Sequence, residues 1–214
     1  LLFGATSQAW AQVGQVQNNS NSTTATTNTV TVNIAATGAG NLIVVCPNGV
    51  GTAITITGVT DNAPGGSNTY VQVPSARATD STANQFTDVW YAKNSKSGAT
   101  TVTVTFSATN ANYKQVFVME VSGADITSPV DVVGRVNNGA SSTTPSGGSV
   151  TTTNANDFIV SVIHYQNSVS NMHAGNLFTS ANISDGNGLA YYIACSTGTY
   201  TPQWDGNGGT TSSS

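Results

Sequence analysis

The sequence has 214 residues, enough for a sizeable core, because a chain of this length buries about 70% of its unfolded surface on folding. Only 7% of the residues are Asp, Glu, Lys or Arg, whereas ordinary soluble domains carry about 25%. The few Lys and Arg residues exclude nucleic acid as a partner, because they cannot neutralise a row of phosphates. Thr, Ser, Asn and Gly make up almost half of the chain and give an uncharged surface that tolerates close packing against copies of itself.

An apolar segment opens the sequence at residues 1–11, and it carries the side chains of Leu1, Leu2, Phe3, Ala5 and Trp10. Residues 9–11 have the small-x-small form of a signal-peptidase site, so the segment is either a signal remnant or a retained apolar strand. Both interpretations predict an exported protein, secreted or held at the cell surface. Residues 12–214 are predicted to form one β-sandwich domain, and no apolar run approaches the roughly 20 residues of a membrane span.

Strand signals dominate the rest of the chain, because short apolar or alternating runs are separated by Gly, Asn, Asp and Pro turns. No window has apolar residues that recur every three or four positions, as they do in an amphipathic helix. The predicted strands lie near residues 10–17, 29–34, 42–46, 54–60, 69–73, 86–93, 100–106, 115–122, 131–136, 149–153, 158–166, 188–195 and 200–204. The sequence therefore predicts an all-β fold, an antiparallel and jelly-roll-like β-sandwich.

The two halves of the sequence share a loose pattern. Residues 29–31 and 39–45 recur as residues 149–151 and 155–160, and the aromatic run 90–93 recurs as residues 191–194. The first half ends with the apolar run 116–121, for which the second half has no counterpart after Trp204. We therefore expect a sandwich of two similar halves that lacks its last strand. Residues 1–10 of a neighbouring copy are predicted to complete it, and folding back onto the same domain is the alternative.

Six short motifs carry a resemblance to a known module: AGNLIVV at 39–45, VTDN at 59–62 with NTY at 68–70, WYAKN at 90–94, and EVSG at 120–123 with SPVD at 128–131. They resemble a β-sandwich module, jelly-roll or Ig-like, of large secreted bacterial proteins. The resemblance covers most of residues 12–204 and implies a fold and secretion rather than a function. In organisation, the missing strand resembles the donor-strand fibre subunits of bacterial biofilm matrix and archaeal surface filaments.

Catalytic motifs do not emerge from the sequence. It contains no Gly-x-Ser-x-Gly elbow, His164 and His173 have no context that suggests a triad, and Glu120 is the sole glutamate. We therefore predict a protein that is not an enzyme and needs no cofactor.

The two cysteines, Cys46 and Cys195, lie in separate strand-like runs without the short spacing of metal or redox sites. A disulfide between them is the favoured interpretation, and two free thiols are the alternative.

Two Asp-Gly-Asn-Gly runs place oxygen ligands at alternate positions, as calcium loops do. The candidate ligands are Asp185, Asn187, Asp205 and Asn207. Asp-Gly and Asn-Gly pairs are also favoured hairpin turns, so the favoured interpretation is a pair of turns without metal.

Aromatic and asparagine residues suggest contacts with sugars. Trp90 and Tyr192 are the candidate glycan contacts, because aromatic rings stack on the apolar faces of sugars. Asn18, Asn21 and Asn182 each begin an Asn-x-Ser/Thr sequon and are candidate glycosylation sites.

Two functions remain after these exclusions. The first is a structural subunit of an extracellular filament or matrix that polymerises with itself by β-strand complementation. The alternative is a secreted carbohydrate-binding module or adhesin, whose partners would be glycans or cell surfaces.

Overall fold

The computed structural model describes residues 12–110, 112–137, 142–166 and 168–206, together with the backbone of residues 211–213. These residues form nineteen strands and no helix, and every strand pair is antiparallel. The predicted all-β antiparallel sandwich is therefore confirmed.

The first half of the chain contributes two sheets. Sheet I has the order β2 (Thr29–Asn33), β9 (Thr101–Phe106), β4 (Ile56–Asp61). Sheet II runs from β1 (Gly14–Thr23) through β10 (Lys114–Ser122) to β3 (Leu42–Val50). The far edge of β3 pairs at one end with β7 (Gln85–Thr87) and then β6 (Ala78–Asp80), and at the other end with β8 (Trp90–Ala92) and then β5 (Val71–Gln72).

The second half contributes sheet III and an outer layer. Sheet III has the order β11 (Val136–Asn137), β19 (Thr211–Ser213), β13 (Asp157–Tyr165), β16 (Asn187–Ala194), β15 (Thr179–Ser184). The outer layer consists of two strand pairs, β12 (Val150–Thr151) with β17 (Thr199–Tyr200), and β14 (Val169–Met172) with β18 (Trp204–Gly206).

Alternation along the central strands builds three hydrophobic cores between these four layers, because successive strand residues point to opposite faces of a sheet. In β3, Ile43 and Val45 enter core 1, which joins sheets I and II, while Val44 and Cys46 enter core 2, which joins sheets II and III. In β13, Val162 enters core 2 and its neighbour Ile163 enters core 3 beneath the outer layer. The molecule is thus two sandwiches packed back to back through core 2.

The pairing of the two halves is similar where the sequence pattern repeats. β2 pairs with β9 as β12 pairs with β17, and β3 pairs with β8 as β13 pairs with β16. The structure adds strands that the sequence did not predict, namely β6, β14, β15 and β19. It also moves the first predicted strand from residues 10–17 to Gly14–Thr23.

β1 is a polar strand that ties three sheets together through side chains. On one face, amide side chains bond to backbone oxygens beside or within β2: Gln17 to Ala35 (2.9 Å), Asn19 to Asn33 (2.8 Å) and Asn21 to Thr31 (2.8 Å). On the other face, Asn18 accepts a hydrogen bond from Asn182 in β15 (3.1 Å). The strand is therefore held to its neighbours by a row of hydrogen bonds from amide side chains instead of by apolar packing.

Gln17 has a second partner, the buried carboxylate of Glu120 in β10. Glu120 accepts hydrogen bonds from Gln17 Nε2 (2.6 Å), the Gly38 amide (2.7 Å) and Asn41 Nδ2 (2.6 Å). A buried carboxylate needs such donors, because leaving one of its oxygens unpaired costs about 1–3 kcal/mol or more.

We expect Gln17→Leu to lower the free energy of unfolding by about 2–3 kcal/mol, because it removes the Glu120 donor and the bond to Ala35. Urea denaturation measures the change. The matched control is Gln15→Leu on the same strand, whose side chain makes no hydrogen bond with the described residues and whose replacement should change stability by about 0.5 kcal/mol or less. Equal unfolding midpoints for the two variants would contradict this role of Gln17.

Candidate functional site: an unpaired strand edge beside an apolar groove

The central strand of sheet III, β13, is paired along only part of one edge. On one side it pairs with β16 over residues 157–163. On the other side β19 pairs with Ile163, His164 and Tyr165. Among the residues that the structure describes, no strand pairs with residues 157–162 on that second side. A row of backbone amides and carbonyls is therefore left without a neighbouring strand, which is the usual template for strand addition.

Burial along β13 follows this difference in pairing. Residues 161–165 are buried, whereas residues 157–160 are only half-buried. Phe158 and Val160, which point toward core 2, are partly exposed although Val162 on the same face is fully buried. The incomplete burial begins at Val160, three residues past the last β13 residue that pairs with β19.

An apolar groove of about 1280 Å³ lies beside this edge. Leu42, Val44 and Tyr91 from sheet II form one wall, and residues 157–161 of β13 form another. The linker between the two halves, residues 123–135, borders the groove over residues 123–134 and exposes Ile126, which is 51% accessible. The groove is thus the continuation of core 2 past the end of β19.

The charged side chains that line the groove are Asp125, Asp131 and Asp157. Asp125 accepts hydrogen bonds from the hydroxyl of Thr127 and the amides of Thr127 and Ser128, and these bonds lower its pKa to about 2. It therefore stabilises a turn within the linker rather than facing a ligand.

Asp131 and Asp157 form a carboxyl pair at the first residue of β13. Burial, followed by the hydrogen bond and the charge of Asp131, raises the pKa of Asp157 to about 6. Hydrogen bonds from the hydroxyl and the amide of Thr153 lower the pKa of Asp131. Sequence reasoning missed this pair, because the two residues lie in different runs and only the fold brings them together.

The predicted polymerisation strand, with Leu1, Leu2, Phe3, Ala5 and Trp10, lies outside the described residues. The residues that follow it, Gln12 and Val13, line the groove, and Val13 is buried in core 2. The described part of the chain therefore begins at the groove.

The prediction that nothing after Trp204 contributes a strand is wrong. Trp204–Gly206 forms β18, and Thr211–Ser213 forms β19 beside β13. The polar composition gives no strand signal at these positions. β19 forms nonetheless, because its pairing with β13 is made by backbone groups and needs no apolar side chain. The gap on β13 is consequently shorter than a full strand.

The predicted disulfide is also wrong, because both thiols are free. Cys46 points into core 2 from β3, whereas Cys195 is exposed just after β16. Burial, with a smaller contribution from the charge of Asp88, raises the pKa of Cys46 well above the ordinary value. Cys46 therefore stays a protonated, apolar core residue.

We expect a thiol reagent to label one cysteine per native chain and two after denaturation, because only Cys195 is accessible. Mass spectrometry of labelled peptides measures the stoichiometry, and Cys195→Ser should abolish labelling of the native protein. Native labelling that requires prior reduction would contradict the structure and indicate a disulfide.

The candidate glycan contacts pack inward. Trp90 lies against core 1 and Tyr192 against core 3, where two other aromatic rings surround it. Their neighbours have the opposite orientation: Tyr91 lines the groove, and Tyr191 stacks on Phe158 with ring centroids 5.1 Å apart. Both candidates are only partly exposed, and no observation at these residues favours sugar binding.

The three candidate glycosylation sites lie in strands rather than in loops. Asn18 and Asn182 bond to each other, and Asn21 bonds to the backbone of β2. A glycan on any of them would replace a hydrogen bond between sheets.

The candidate calcium ligands serve as turn and network residues. Asp185 and Gly186 have positive φ angles (50° and 76°) and form the two-residue hairpin turn between β15 and β16. Asn187 is buried and bonds to the Tyr165 amide (2.7 Å). Asp205 contacts His173 Nδ1 (2.6 Å), and Asn207 lies outside the described residues. Within those residues no cluster of three or more His, Cys, Asp or Glu side chains that could hold a metal ion occurs.

A smaller cavity of about 210 Å³ lies near the closed end of core 2. His164 and Gln85 line it, and their Nδ1 and Oε1 atoms make no hydrogen bond with the described residues. Burial lowers the pKa of His164 to about 4, so the ring is neutral at pH 7. The cavity lacks the open strand edge that distinguishes the larger groove.

No helix in the described part of the chain is long and apolar enough to cross a membrane. Comparisons with protein-family models, curated proteins and solved structures find no match to the chain.

Proposed function

We propose that the protein is a structural subunit of an extracellular fibre or matrix, in which residues 1–10 of one copy dock as a β-strand along residues 157–162 of the next. The unpaired edge of β13 beside the apolar groove is the observation that supports this proposal. Strand addition satisfies the free backbone groups and fills the groove in one step.

The length of the segment suits the edge. Residues 157–162 of β13 extend over about 20 Å at the usual rise of roughly 3.3 Å per residue. Residues 1–10 are longer than this edge, so the remaining residues can connect the docked strand to Gln12 at the start of the described chain.

The chemistry of the segment suits the groove. Residues 1–11 carry no Asp, Glu, Lys or Arg, so their side chains add no charge near Asp131 and Asp157. Each large apolar side chain that becomes fully buried contributes about 1.5–3 kcal/mol. Because strand residues alternate, one set of side chains would contact Phe158 and Val160, and the other set would face the outer layer.

β19 suggests the direction of the docked strand. It runs antiparallel to β13 and ends at Ser213, opposite Ile163. A strand that is antiparallel to β13 and begins opposite Val162 would extend the same row, so that β13 would have neighbours on both sides along its whole length.

A neighbouring copy is the proposed donor, because the low charge of the surface allows copies to pack closely. Docking of residues 1–10 onto their own chain would satisfy the same edge, but it would give monomers at every concentration. Assembly that depends on concentration therefore distinguishes the two arrangements.

We expect deletion of residues 1–10 to abolish assembly, and Phe3→Asp to raise the critical concentration by about tenfold or more, because the docked apolar side chain is worth more than about 1.4 kcal/mol. Light scattering and electron microscopy follow the fibres. Gln8→Asp is the control, since it adds the same charge near the connection to Gln12.

A synthetic peptide of residues 1–10 should compete with the chain and inhibit its assembly when present in excess. Fibres of unchanged amount and shape from the deleted chain would overturn the proposal. Monomers at every concentration of the intact chain would do so as well.

A further inference from the structure

We propose that the smaller cavity, of about 210 Å³ near the closed end of core 2, is a binding site for a small, uncharged, hydroxyl-bearing molecule such as a single sugar unit. The cavity and the apolar groove share no described lining residue. The inference therefore goes beyond the proposed function and does not depend on it.

Two buried side chains of the cavity lining have hydrogen-bonding atoms without a partner. His164 in β13 is 3% exposed, and Gln85 in β7 is 2% exposed. His164 Nδ1 and Gln85 Oε1 make no hydrogen bond with the described residues. Because most buried polar atoms in folded proteins do have a partner, each exception requires an explanation. A molecule bound in the cavity would supply partners for both atoms.

The polar character of this end of core 2 extends beyond the cavity wall. Asn48 lies two residues before the lining residue Val50, on the same face of β3. It is fully buried, and neither atom of its side-chain amide has a partner in the described part of the chain. Core 2 is otherwise built from apolar side chains, which would pack here without such a cost. Unmet hydrogen-bonding capacity is thus concentrated around the cavity.

Another part of the lining is held in place by hydrogen bonds. Asn187 donates to Gln115 Oε1 (2.9 Å) and to the Tyr113 hydroxyl (3.2 Å). That hydroxyl donates to Asp185 Oδ2 (3.2 Å). The Tyr113 ring meets the His164 ring edge to face, with centroids 5.8 Å apart. The ring and the carboxylate are therefore positioned before a ligand arrives, which reduces the entropic cost of binding.

The charges around the cavity disfavour an anionic ligand. Asp185 is the charged residue of the described lining, and Asp80 lies directly opposite Gln85 on the neighbouring strand. Lys114 follows the lining residue Tyr113, but its ammonium donates to two backbone carbonyls of the loop before β10. A metal ion is disfavoured as well, because no three His, Cys, Asp or Glu side chains cluster in the described part of the chain.

A hydroxyl group matches the atoms that the cavity offers, because it can donate and accept hydrogen bonds at once. Gln85 Oε1 and the Asp185 carboxylate can only accept, whereas the neutral His164 ring has one donor and one acceptor nitrogen. Burial lowers the pKa of His164 to about 4, so the ring is neutral at pH 7. The Tyr113 ring offers an apolar surface of the kind on which the C–H face of a sugar packs.

The size of the cavity limits the ligand to a small molecule. Its volume of about 210 Å³ corresponds to about seven water molecules at roughly 30 Å³ each. A single sugar unit is of this size, whereas an oligosaccharide would have to extend past the exposed side chain of Asp185 into solvent.

Solution NMR of the full chain tests the site, with glucose, galactose, mannose and N-acetylglucosamine as separate probes. Each probe is titrated to about 50 mM, because a ligand with so few contacts is expected to bind with a millimolar Kd. We expect at least one probe to cause saturable shifts of the His164 ring signals and of the Gln85 side-chain amide signals.

Gln85→Met keeps the length of the side chain but removes the acceptor, and it should weaken binding by about fivefold or more. Asp185→Gly is the second variant, because glycine readily adopts the positive φ angle (50°) of this turn residue and the hairpin is retained. It should weaken binding as well. His173→Gln replaces a histidine outside the described lining and should bind the probe as the natural chain does.

Absence of saturable shifts at His164 and Gln85 with all four sugars would overturn the proposal, as would equal affinities of the natural chain, Gln85→Met and Asp185→Gly. Shifts caused by ammonium or guanidinium ions but by no sugar would overturn the uncharged class of ligand. Fibre assembly is measured separately. Sugar binding by a chain that forms no fibres would refute the proposed function alone, and fibres from a chain that binds no sugar would refute this inference alone.

Discussion

The packing of sheet II against sheet III through core 2 is the constraint on which the rest of the structure depends. It orients β3 and β13 face to face, and it buries side chains from both halves, including Phe117, Met119 and Leu189. Sheet II covers both ends of β3 with β7 and β8, whereas in the described part of the chain β19 covers one end of β13 and no strand covers the other. Because the two sheets are stacked, this difference between the pairing of β3 and that of β13 leaves core 2 open at one end as an apolar groove.

Scarcity of charge shapes how this molecule holds its layers together. Where other proteins use apolar contacts or ion pairs at a sheet edge, β1 uses amide side chains that bond to backbone groups of β2 on one face and to β15 on the other. Neutral hydrogen bonds of this kind are individually modest, worth about 1 kcal/mol each. The number and regular spacing of these hydrogen bonds explain how so polar a strand joins the edge of sheet II to sheets I and III.

Much of the fold could be predicted from the sequence, because alternation in runs such as 100–106 reports directly which face is buried. The parts that were missed have little of this signal: β1 continues past its predicted end through Asn and Ser residues, and the unpredicted β19 is a short polar run paired through its backbone. The disulfide prediction failed because alternation sends Cys46 into core 2 while Cys195 lies past the end of β16. The groove and the Asp131–Asp157 pair depend on how the two halves stack, which no local pattern encodes.

The central claim is that residues 157–162 of β13 accept a strand from another copy. Residue-resolved amide exchange of assembled protein, compared with the chain lacking residues 1–10, tests it most directly. The account predicts that amides of residues 157–162 which point away from β16 become strongly protected in the assembly and exchange rapidly in the shortened chain. Rapid exchange of those amides in the assembled protein would contradict it.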